Sequence, residues 1–157
     1  MAIRVVEERK KVKVPDWADA VGDYTDEQIA AAVDAAAKLP GSVADPNMVQ
    51  VVWPVLVMPI TAAALDFGNV TSVRVKLSGL VASQTWIKRD RLIVHIQNPG
   101  KRGNDVESPF TTLPIVAEGG IIVDGHHALT AMFLLAGPDF EVPVWQLPIG
   151  IATGHPR

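Results

Sequence analysis

Leu113-Pro114-Ile115-Val116-Ala117-Glu118-Gly119-Gly120-Ile121-Ile122-Val123-Asp124-Gly125-His126-His127 holds two apolar runs around a glycine pair and ends on an acid, a glycine and two imidazoles. Runs of this kind on either side of Gly-Gly predict a tight antiparallel hairpin, because glycine supplies the positive φ values that primed turns need. Immediately downstream, His127 to Ala136 predicts an almost wholly apolar helix, stopped by Gly137-Pro138. Val142-Pro143-Val144-Trp145-Gln146-Leu147 then predicts a returning strand, and Ile149 to Arg157 a poorly ordered tail.

Upstream, Val73, Val75 and Leu77 alternate with Arg74 and Lys76, the pattern of a half-buried strand. Ser83-Gln84-Thr85-Trp86 reads as a helix start and Leu92 to Ile96 has strand propensity; the stretch Ser83 to Gln97 is read as helix. Asn98 to Thr112 lacks apolar periodicity and reads as a long loop, the kind that serves as a lid or binding loop or is disordered. Turn residues Asp66-Phe67-Gly68-Asn69 suggest a soft boundary. Before it, Thr25-Asp26-Glu27-Gln28 fits a capping box that opens a helix ended by Pro40-Gly41, and Ile3 to Val14 reads as a strand with a solvated basic end, Arg9-Lys10-Lys11. The expected organisation is an α/β (α+β) chain. Residues 1–69 form an extension of strand, helix and strand, residues 70–148 a mixed small sheet with helices, and residues 149–157 a tail.

The chain has 157 residues, 48% of them apolar and 20% charged, which excludes disorder as the dominant state. A chain of this length buries roughly 68–70% of its unfolded surface and needs no staple. Its lack of cysteine excludes disulfides, thiolate metal sites, iron-sulfur clusters and a cysteine nucleophile. A net charge of -3, from 14 basic and 17 acidic side chains, gives no global reason to bind nucleic acid, so any such contact must be local. Met1 to Arg9 lacks an export pattern, and Val49 to Leu65 is broken by Pro54 and Pro59, so the expectation is a cytoplasmic chain without a membrane partner.

Asp124-Gly125-His126-His127 concentrates chemistry where a strand hands over to a helix. The first turn of a helix leaves amides without intrahelical partners, and with the macrodipole these attract an anion such as phosphate. Gly125 lets backbone approach a ligand, and the imidazoles can donate to phosphate oxygens or relay protons. With Asp124 as N-cap, His126 and His127 point about 100° apart, so one faces a ligand and the other a carboxylate or the core. A carboxylate at that point repels phosphate unless a divalent cation lies between them, which predicts magnesium on Asp124. The plain alternative makes Asp124 a cap, Gly125 a turn residue and the histidines first-turn side chains. The four histidines, His95, His126, His127 and His155, have no zinc-ligand spacing, so structural zinc is not expected.

The order Val73 to Leu77, Leu80, Ala82-Ser83-Gln84, Leu113 to Val116, Gly119-Gly120, Ile121 to His127, Ala131, Gly137 and Val142-Pro143-Val144 resembles the ParB/sulfiredoxin-like superfamily over residues 70 to 148. Its members include chromosome-partition CTPases, sulfiredoxin, free-serine kinases and phage or plasmid proteins of the ParB-like nuclease type. The resemblance implies an α/β fold in which Gly125, His126 and His127, with Ser83 and Gln84 from the opening turn, contact nucleotide phosphates such as those of ATP, ADP or CTP. Asp124 would hold magnesium or act with His126 and His127 in catalysis. Two positions depart from the family pattern. Gln84 stands where a kinase-like member carries a catalytic Glu, and Ala128 where an Arg usually grips phosphate. Lys88, Arg89, Arg91, Lys101 or Arg102 could supply the missing charge, and an Arg restored at 128 would be expected to strengthen binding.

Two functions follow as expectations. The first is magnesium-dependent phosphoryl transfer, nucleotide hydrolysis or phosphodiester cleavage, supported by Asp124 and the histidine pair. The second is a catalytically degenerate module that recognises a nucleotide, DNA or a protein without turnover, supported by Gln84 and Ala128. Residues 1–69 would then offer an extra sheet, a homodimer face or a site for a protein partner.

Overall fold

Gly119 and Gly120 adopt φ of 91° and 83°, and the chain reverses through them into the expected hairpin. A Cβ on Gly120 would also lie 2.7 Å from the Gly79 carbonyl oxygen, so the turn packs against backbone that no side chain could approach. The computed structural model describes residues 17–56, 69–100 and 113–148. Their elements are helices α1 (Trp17–Val21), α2 (Asp26–Ala37), α3 (Arg89–Gln97) and α4 (His126–Ala136) and strands β1 (Met48–Gln50), β2 (Thr71–Lys76), β3 (Trp86–Lys88), β4 (Ile115–Ala117), β5 (Ile121–Asp124) and β6 (Glu141–Leu147), with a 3-10 turn at Leu77–Gly79.

The α+β class expected from sequence is what these elements form: a mixed four-stranded sheet in the order β2-β6-β4-β5, with β1 and β3 pairing apart from it. β6 runs antiparallel to β2 and parallel to β4, and α4 carries the chain from edge strand β5 to interior strand β6. Interior position explains the nearly continuous burial of β6. Pro143 is tolerated there because β4 meets β6 only at Trp145 to Leu147, beyond the proline. In the hairpin, Val116 faces Ile122 while Ile115 faces Asp124, so Val123 is an extra residue that bulges β5 just before the Asp-Gly-His-His run.

The capping box at Thr25 is present, with Gln28 N–H donating to Thr25 Oγ1 at 3.1 Å and Thr25 N–H to Gln28 Oε1 at 2.8 Å. The expected helix from Ser83 is corrected. Trp86–Lys88 pairs antiparallel with β1 and buries Ile87, and only Arg89–Gln97 is helical. Strand pairing prevails in the first part, whereas Leu92 and Ile96, four apart, bury one helical face in the second. The N-cap is corrected as well: α4 begins at His126, its cap is Gly125 at φ 103°, and Asp124 closes β5. The strand expected within residues 3–14, the loop 98–112 apart from its first residues 98–100, and the tail 149–157 lie outside the described residues.

One hydrophobic cluster joins Trp17, Val21, Ala32, Ala36, Val49 and Trp53 to Leu77, Ile87, Leu92, Val116, Ile122, Leu129 and Val144. Among the described residues no helix is long and apolar enough to cross a membrane.

Candidate functional site

β5 and its bulge deliver Asp124, Gly125, His126 and His127 to the start of α4. Gly125 is required by its φ, and a Cβ there would lie 2.8 Å from Pro114 Cβ. Glycine therefore serves a close packing of backbone on Pro114. His126 is only 4% exposed, and its Nε2 accepts the Ser83 N–H at 3.2 Å; the Ser83 hydroxyl donates to the Ile122 carbonyl at 2.5 Å. His127 Nε2 accepts the Lys88 N–H at 3.0 Å. An imidazole nitrogen that accepts carries no proton, so each ring is the tautomer protonated at Nδ1. The two adjacent histidines thus hold both ends of the segment 83–88 against α4.

Both rings are held neutral. Burial, opposed by the Asp124 charge, lowers the His126 pKa to about 4. Burial, then the charges of His95, Arg91 and His126, opposed by Asp90, lower that of His127 to about 4. The His127 ring stacks on His95, with centroids 6.2 Å apart and planes at 19°.

Beside this junction lies a pocket of about 360 Å³ whose described lining is Lys88, Asp90, Arg91 and Val94. Asp90 is held below the ordinary carboxylate range, first by a side-chain hydrogen bond with Asn47 and then by the Arg91 amide, which reaches its Oδ1 at 2.7 Å. The structure therefore brings Ser83 to His126, and Lys88 and Arg91 to His127. Gln84 turns its amide to the Trp86 carbonyl at 2.8 Å and is exposed. Asp124 is exposed at the end of β5, and among the described residues no group of three His, Asp or Glu could hold a metal ion. A single protein carboxylate holds magnesium only where phosphate oxygens complete the coordination.

Arg89 lies elsewhere. Its guanidinium donates to the carbonyls of Ala36, Ala37, Leu39 and Pro46 at 2.7–3.3 Å and is not available to a ligand. Lys101 and Arg102 lie outside the described residues. Ala128 is 2% exposed, so an Arg there would have to enter the core, and the gain in affinity expected from it is withdrawn. His95 and Asn47 were not singled out by the sequence reading. Reading one helix from Ser83 through Gln97 hid the change from strand to helix at Lys88, which sets Lys88, Arg91 and His95 along one side of the site. Searches against protein-family models, curated proteins and solved structures find no match to this chain.

Proposed function

We propose that this chain binds a phosphate-bearing ligand, a nucleotide or the phosphates of a nucleic acid, at the junction of β3, α3 and the start of α4, as a binding module without turnover. The observation that carries this reading is the pocket flanked by Lys88 and Arg91 next to the first turn of α4. Two cations of different reach outnumber the one carboxylate of that lining, Asp90, and suit phosphate oxygens, with the guanidinium able to engage two of them at once. The resemblance of residues 70–148 to the ParB/sulfiredoxin-like superfamily supports the same ligand class. Absence of turnover is favoured by the histidines, whose Nε2 atoms are already engaged by backbone amides and whose rings are neutral at pH 7. An acid catalyst or a cationic phosphate grip needs the opposite.

One observation favours the second reading, magnesium-dependent phosphoryl chemistry: Asp124 is exposed and its charge acts on His126 at the same helix start. A single screen separates the two. Thermal unfolding is followed with ATP, ADP, CTP, GTP and short single-stranded DNA, each with and without magnesium, for the wild type and for Lys88→Ala/Arg91→Ala. Ligand at about 100-fold over its Kd adds roughly 2.7 kcal/mol to the native state. The expected result is a shift in the wild type that is largely lost in the double variant, with no product formed. A magnesium-dependent shift accompanied by phosphate release would favour the enzyme, and no shift with any ligand would overturn the phosphate reading.

A further inference from the structure

His127 stands where three elements meet. It lies in the first turn of α4, its Nε2 accepts the amide of Lys88 where β3 passes into α3, and its ring stacks on His95 further along α3. The amide it accepts belongs to a residue that lines the pocket, and Arg91, on the same rim, follows one helical turn later. We propose that His127 is a positioning residue for this pocket: its neutral imidazole fixes the β3–α3 junction from which Lys88 and Arg91 line the site, so protonation of the ring weakens ligand binding there. This inference rests on the pocket's reading as a phosphate site.

The chemistry follows from the donor count. Lys88 N–H is a donor only, and Nε2 receives it only while unprotonated; an imidazolium would present a second donor to the first and break the bond. The groups around the ring oppose the proton. Arg91 and His95 on α3 and His126 on α4 carry or can acquire positive charge, the ring is half-buried, and only Asp90 attracts a proton to it. Lys88 adds its own ammonium to the same rim. A histidine that gripped phosphate as a cation would behave in the reverse sense, binding more tightly as the ring is protonated.

The first arm of the test needs no ligand. Nitrogen-15 NMR of the full chain is recorded from pH 7.5 downward, following the His127 ring and the Lys88 amide. The expected result is an unprotonated Nε2 at pH 7, a midpoint near 4 and a Lys88 amide shift that moves with it. A ring that titrates near its ordinary 6.5 with no response at Lys88 would overturn the proposal. The second arm measures ATP binding at pH 7 to the wild type, His127→Gln and His127→Lys. Glutamine keeps an uncharged acceptor, so its affinity should fall within about threefold of wild type, whereas lysine removes the acceptor and should weaken binding by about tenfold. Tighter binding by His127→Lys together with loss in His127→Gln would overturn the positioning role. Wild type that fails to bind ATP would strike the pocket's phosphate reading, and the NMR arm would still decide whether His127 holds Lys88.

Discussion

The two imidazoles of the Asp-Gly-His-His run act through lone pairs, and this has a consequence for stability. His126 is buried with its Nε2 on the Ser83 amide, and its pKa falls from 6.5 to about 4 in the folded chain. Between those two values the unfolded chain binds more protons, so folding stability rises with pH across that window. The contribution is complete above about pH 6.5 and is lost as pH falls toward 4. Its full size is about 3 kcal/mol. Urea unfolding at pH 7, 5.5 and 4.5 should therefore show a steep loss in the wild type and a shallower one in His126→Gln, which accepts the amide without titrating. Equal slopes would mean that the ring is not held neutral. At this scale the sequence was legible in part. An acid, a glycine and two histidines foretold a strand-to-helix handover, and β5 does pass into α4 there. Whether the rings donate or accept was not visible, because the amides that decide it lie 43 and 39 residues upstream. The burial of Ala128 was hidden for a related reason: α4 is apolar nearly all round, so its sequence does not say which side faces the core.

Helix ends show how the elements around the pocket are joined. α3 has no side-chain cap from its own flank; Asn47 supplies one from 43 residues away, accepting the Asp90 amide on its Oδ1 at 3.0 Å and the Arg89 amide on its backbone oxygen. In return the Arg89 guanidinium takes up the last carbonyls of α2 and that of Pro46. A helix C-terminus leaves such carbonyls unpaired, and a planar fork with five donors can serve several of them at once. Arg89→Met should therefore destabilise the chain by about 2–4 kcal/mol, and Arg89→Lys should recover little of it, since an ammonium cannot span four carbonyls. Denaturant midpoints of the two variants check this, and a lysine variant as stable as wild type would contradict it. Local signals foretold the elements whose ends are closed locally: the Thr25 capping box and the Gly119-Gly120 turn. They missed the break between β3 and α3, which is imposed by β1 and Asn47 from a distance.

Across the whole molecule, the question is whether the residues before and after position 69 unfold as one body. Trp53, from the upstream part, donates its indole N–H to the Leu77 carbonyl at 2.7 Å and meets the Phe133 ring edge-on, with centroids 5.7 Å apart. Trp17 donates to the Pro99 carbonyl at 3.1 Å, and α2 packs on both α3 and α4. The Arg89 clamp ties the upstream helix to the element that carries Lys88 and Arg91, so loss of the upstream residues would release one wall of the pocket. Cooperative unfolding of all four tryptophans follows, because among the described residues one hydrophobic cluster joins both parts. Labelling with 5-fluorotryptophan gives Trp17, Trp53, Trp86 and Trp145 separate fluorine signals without changing the sequence. The native signals should disappear at one urea concentration, and a ligand in the pocket should move all of them together. If Trp17 and Trp53 were lost first while Trp86 and Trp145 stayed native, residues 17–56 would be a separable module and the pocket would be complete without them.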